Sequence, residues 1–251
     1  MFTNNAQIAF RRCVLTLVLL LTAAPAFAVS DLSDSIYQVD FSTDDLNAIQ
    51  SLLPESQVNG AFVNTGIDPN LRLLEDAEIS ITFIDEGAGY RNSFGYFLFD
   101  DDQNILSETT IFSNASELNG GGSLLPGDTV DLGLFESGTN IGFWLQSNGF
   151  ADPYGRTYYT LDQYNPDGER HVAVMADLVN EQIVLGVEDM FNLGDQDYND
   201  IVFAITASPF SAIDVGSMPT GAPEAGPIAT AMICASLFGV YARRRRGSAV
   251  I

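Results

Sequence analysis

Ile79, Ile81 and Phe83 fall on one side of an alternating run, with Ser80 and Thr82 on the other. This period of two predicts a half-buried strand over 79–84. The runs 94–99, 141–145 and 201–205 are apolar on both faces, which predicts central strands. Weaker alternation marks 105–112, 129–134, 157–161, 171–176 and 182–187. Glycine, proline and acidic turn signals punctuate them: Glu86-Gly87-Ala88-Gly89, Gly120-Gly121-Gly122, Pro126-Gly127-Asp128, Asn148-Gly149 and Asn165-Pro166-Asp167-Gly168. One helix is expected near the front. Ser42 or Thr43 caps it, Asp44 and Asp45 suit its positive end, and Leu46, Ile49 and Leu53 share a face. Many short strands with one short N-terminal helix predict an all-β fold, a single β-sandwich or jelly-roll-like domain.

The two ends follow different rules. Arg11 and Arg12 precede the apolar run 13–21, and Ala26-Phe27-Ala28 closes it. That is the layout of a cleaved signal peptide over 1–28, with a mature start at Val29 and the general export machinery as partner. At the other end, 225–242 lacks any charge and Arg243, Arg244, Arg245 and Arg246 follow at once. The run is long enough for a minimal membrane helix, and the arginines place the C-terminus in the cytoplasm. A Pro/Gly-rich linker, expected to be extended or disordered, precedes this segment. The body is therefore expected outside the cytoplasm, in the cell envelope or extracellular space, and anchored at first by its C-terminal helix.

The charge pattern removes whole classes of chemistry. The chain has 33 acids, 10 arginines and no lysine. Residues 29–217 hold 32 of the acids and only Arg72, Arg91, Arg156 and Arg170. So acidic a body repels phosphate backbones, so nucleic acid is not expected as a partner. The absence of lysine excludes Schiff-base and P-loop chemistry. Cys13 and Cys234 lie in the terminal segments, so thiol catalysis and cysteine metal sites are excluded from the body. His171 is the only histidine; it shares a strand face with Ala173 and Met175 and reads as packed rather than catalytic. No Gly-x-Ser-x-Gly elbow is present, and no enzyme activity is expected.

What remains is oxygen chemistry. Glu188, Asp189, Asp195, Asp197, Asn199 and Asp200 crowd one loop that runs straight into the strand 201–205. Close carboxylates raise one another's pKa unless something neutralises them, and Ca²⁺ does so with oxygen ligands. Asp195-x-Asp197-x-Asn199 matches the first three ligand positions of an EF-hand loop. Position six, however, is Asp200 rather than Gly, and position twelve is Thr206 rather than Glu. The expectation is a structural Ca²⁺ site of another kind, weighed against a solvated acidic turn. Asp100, Asp102 and Asn104 repeat the alternation on a smaller scale, where an exposed hairpin turn is the simpler reading. Tyr154, Tyr158, Tyr159 and Tyr164 lie beside Asp152 and Arg156; they either stack on sugar rings or pack in the hairpin.

Two resemblances add to this. Pro223-Glu224, a short apolar helix and Arg243–Arg246 resemble the PEP-CTERM sorting segment of Gram-negative bacteria, with Ala225 where that family carries a second proline. The resemblance implies processing by an exosortase-type membrane enzyme. The order of Gly95–Asp100, Leu125–Asp128, Ile141–Leu145, Asn165–Gly168 and the closing Gly194-Asp195-Gln196-Asp197-Tyr198-Asn199-Asp200-Ile201-Val202-Phe203 resembles the bacterial extracellular domain of unknown function 4114 over roughly 90–206. This implies a secreted, β-rich surface or matrix module with no established activity. The expected organisation is a signal peptide at 1–28, a front part at 29–89, the β-rich domain at 90–212, a linker at 213–224 and a transmembrane sorting segment at 225–251. The expected function is non-enzymatic calcium binding, with an adhesive module on extracellular polysaccharide as the alternative and an anchored hydrolase as a lesser one.

Overall fold

A computed structural model describes residues 32–53 and 67–220. The signal-peptide, Pro223-Glu224 and arginine-cluster expectations lie outside the described residues. Among those described, no helix is long and apolar enough to cross a membrane.

The fold is a β-sandwich. Its strands are β1 (Tyr37–Gln38), β2 (Leu71–Arg72), β3 (Ala77–Asp85), β4 (Ser93–Phe99), β5 (Ile105–Phe112), β6 (Asp128–Phe135), β7 (Asn140–Gln146), β8 (Thr157–Tyr159), β9 (Val172–Asp177), β10 (Gln182–Val187) and β11 (Ile201–Ser208). The first sheet runs β1-β6-β3-β11-β10-β9 and the second β2-β7-β4-β5, with β8 also paired to β7. All of these pairings are antiparallel. The strands expected to be central are central: β4 lies between β7 and β5, and β11 between β3 and β10.

The alternation in β3 explains the layering. Ala77, Ile79, Ile81 and Phe83 point between the sheets and are fully buried. Phe203 of β11 packs across the gap, stacked 3.9 Å from Phe94 of β4 and 5.7 Å from Phe112 of β5. Such ring pairs add about 0.5–1.5 kcal/mol each beyond their buried area.

β9 and β10 are buried at every position, and alternation alone does not account for this. The cause is α1 (Thr43–Gln50), which covers the outer face of the first sheet. Ser42 caps it as expected, accepting a hydrogen bond from Asp45 N at 3.1 Å. Ile49 and Leu53 then pack with Ile84, Ala173, Met175, Val184 and Ala204 in a second apolar cluster. Gly186 makes the close approach possible, since a Cβ there would stand 2.3 Å from Leu53 Cδ1.

The expected linker is partly structured. Ile213 pairs with Leu73, Thr220 pairs with Ala176, and Ile213 and Met218 are buried. Two apolar side chains within the Pro/Gly-rich run give the segment a reason to dock. Composition alone obscured it.

Candidate metal centre

The acidic loop joins β10 to β11, so both of its ends are fixed in the first sheet. Its backbone is unusual. Asn192, Leu193, Gly194, Gln196 and Tyr198 all have positive φ, between 40 and 66°. Left-handed non-glycine residues cost about 1–3 kcal/mol each and persist only where the surroundings impose them. Here they interrupt extension and fold the loop back. The result brings ligand atoms of Glu188, Asp195 and Asp197 within 4.8 Å of one another. Gly194 suits its position: its φ is 40°, and a Cβ would lie 2.5 Å from Glu188 Oε1 and displace that carboxylate.

The six expected ligands thus divide. Glu188 and Asp197 are buried and Asp195 is exposed, so the triad opens to solvent on one side. Asp200 lies outside the triad but beside it: half-buried, it meets the Glu188 carboxyl, and its Oδ2 accepts the Asp189 N–H at 2.7 Å. Asp189 is buried and accepts from Asn92 Nδ2 at 2.7 Å. The Asn199 carbonyl accepts from Gly87 N at 3.0 Å, and its own N–H donates to Asp197 Oδ1 at 3.2 Å. Glu188, Asp195 and Asp197 therefore form the cluster, while Asp189, Asp200 and Asn199 brace it.

The electrostatics are unbalanced. Burial, then the Asp200 charge, pushes the Glu188 carboxyl far above the ordinary carboxylate range. Burial, then Asp189, does the same to Asp200, and burial also raises Asp189. Glu188 Oε2 is fully buried and accepts no hydrogen bond among the described residues. A buried, unsatisfied carboxylate oxygen is expensive, so a proton or a cation belongs there.

Several supports were not visible in the sequence. His171 is fully buried, stacked 3.7 Å from Tyr158. Its Nδ1 donates to the Glu188 carbonyl at 2.8 Å, and its Nε2 meets Asp167 Oδ2 at 3.0 Å. Burial would raise the Asp167 pKa, but hydrogen bonds from the Asn192 and Glu169 backbone and from His171 outweigh it and hold the carboxyl ionised. Asn92 also receives Asn148 N at 2.8 Å, tying the loop after β7 to the same network. These partners lie up to 97 residues apart in the chain, a separation no local motif records.

The other candidates resolve simply. Asp100 is a hairpin-turn residue: its Oδ1 accepts the backbone N–H groups of Asp102 and Asn104. Of the four tyrosines, Tyr158 is buried and Tyr159 packs on Phe97, while Tyr154 is 93% exposed and Tyr164 39%. They do not form one surface.

Residues 135–208 match the model of the domain of unknown function DUF4114. The matched span runs from the end of β6 to the end of β11. It holds the whole acidic loop together with Asn148, Asp167 and His171. The DUF4114 match leaves Asn92 outside, along with the Gly95–Asp100 and Leu125–Asp128 segments, so it is shorter than the 90–206 resemblance. No curated protein and no solved structure matches the chain.

Proposed function

We propose that this chain is an exported, non-enzymatic β-sandwich module that holds one structural Ca²⁺ in its acidic loop. In this reading the C-terminal sorting segment delivers it to the cell envelope or extracellular matrix, after recognition by an exosortase-type enzyme. The observation that carries the metal is Glu188. Its buried Oε2 has no hydrogen-bond partner among the described residues, and its carboxyl belongs to a carboxylate triad that opens to solvent at Asp195. Carboxylate oxygens suit a hard cation, and the chain has no thiolates here to favour a softer one. The ion would bridge the two ends of the loop and offset both the burial of these carboxylates, the main cause of their raised pKa values, and their mutual repulsion.

Thermal melts in calcium and in chelator test this. Saturation at 100 times Kd stabilises by about 2.7 kcal/mol. For a body of this size that is a rise in Tm of roughly 5–10 °C. Superimposable curves would remove calcium from the account. Mass spectrometry of the mature protein tests the delivery route, with Val29 expected as the first residue.

A further inference from the structure

Beside the second sheet opens a polar cleft of about 330 Å³, lined by Asp68, Asn70, Gln103, Asp162, Gln163 and Arg170. It shares no residue with the acidic loop. Its floor is fixed from the sheet outward. Phe143 N in β7 donates to Thr160 Oγ1 at 2.9 Å, and Thr160 donates to Asn70 Oδ1 at 2.6 Å. Asn70 Nδ2 then donates to Asp68 Oδ1 at 2.7 Å. Thr160 and Asn70 are both buried, so their side chains are set before a ligand arrives.

The walls show what the cleft would accept. Arg170 is its only cation among the described residues, and Asp162 already pairs with it at 2.9 Å. Asp68 adds a further carboxylate, and the surrounding body is strongly acidic. An anionic ligand is therefore repelled. An apolar ligand would strip water from these amides and carboxylates and leave them unpaired. A neutral polyhydroxyl ligand avoids both penalties, because each hydroxyl can donate to a carboxylate and accept from an amide.

Gln103 sharpens this. Its φ is 63°, a conformation that favours Gly or Asn, yet the position carries the longer amide. Its carbonyl accepts from Tyr164 Oη at 2.9 Å and Gln163 Nε2 at 3.4 Å, which holds the turn in place. Its side-chain amide has no hydrogen-bond partner among the described residues. Tyr164 brings a partly exposed ring to the edge, a flat surface for the C–H face of a sugar. The volume lies at the low end of the range for small-molecule sites, about 300–1,000 Å³.

We propose that this cleft binds one sugar unit of a neutral polysaccharide, with Gln103 and Gln163 as hydrogen-bonding ligand contacts. This stands independently of the calcium reading. The test is a glycan array of neutral hexose oligosaccharides and their uronate counterparts, probed with the full chain in a non-glycosidic detergent. At least one neutral class should be retained, and the uronates should not. Gln163→Ala and Gln103→Gly should each weaken retention by about tenfold, the loss of one hydrogen-bonded contact. Gln103→Gly should melt no lower than the parent, because glycine relieves the left-handed backbone. Three results would overturn the proposal: no neutral glycan retained, uronates retained equally, or both variants binding at the parental level.

Discussion

Glu188 concentrates the chemistry of the loop in one side chain. Its raised pKa has burial as the first cause and Asp200 as the second. Glu188→Gln keeps the shape and removes the charge. Its melting temperature in chelator should be no lower than the parent's, while the calcium-induced rise should disappear. A variant that still responds fully to calcium would place the ion elsewhere. The same residue sets a pH dependence. Folded Glu188 and Asp200 retain protons that the unfolded chain has already released. The stability this confers is complete below the ordinary carboxylate range and is lost as pH rises through the elevated values. In chelator, the melting temperature should therefore fall from mildly acidic to alkaline pH. Asp100, Asp101 and Asp167 are shifted down and act with the opposite sign, but their contribution is complete above the ordinary Asp range. In the proposed calcium-bound form the ion would take the place of the protons, so protein in calcium should show a flatter profile.

At the scale of elements, α1 does more than its eight residues suggest. It converts the outer face of the first sheet into core and so backs the strands that carry the acidic loop. Ile49 of α1, Leu53 just beyond its end and Tyr198 belong to the same apolar cluster, so the helical segment reaches the loop itself. Leu53→Ala should cost about 2–4 kcal/mol by creating a cavity, read as a lower denaturant midpoint. It should also weaken calcium binding, measured by titration calorimetry. Equal calcium affinity in this variant would show that the helix and the loop are energetically separate. Legibility in the sequence divides along the same line. The longer strands were readable because alternation and turn residues are local, and 105–112 and 182–187 coincide with β5 and β10. The two-residue strands β1 and β2 carry no pattern of their own and exist only through their partners. Burial on both faces of β9 and β10 depends on a helix more than a hundred residues away. In the site, the acidic loop was plain in the sequence. The division between the Glu188 triad and its braces was not, because left-handed backbone and contacts from Asn92, Asp167 and His171 decide it.

Over the whole molecule, two electrostatic effects need separating. Thirty-two acids against four arginines between 29 and 217 give the body strong self-repulsion. Any added salt relieves that repulsion, because at about 1 M the Debye length falls to roughly 3 Å. A buried site responds differently, since screening acts weakly on charges withdrawn from solvent. Glu188, Asp189 and Asp197 are all nearly inaccessible. Sodium chloride should therefore raise the melting temperature in chelator gradually and without saturation at any fixed stoichiometry. Calcium should add a further, saturable rise that survives in high salt. Calorimetry across a sodium chloride series, with and without calcium, reads both effects at once. If high salt alone abolishes the calcium increment, the ion acts as diffuse counter-charge, and the acidity is a solvated surface throughout. If the increment persists and Asp197→Ala removes it, the general acidity and the loop are distinct features. The first keeps the module soluble and repels polyanions; the second fixes one end of the sandwich.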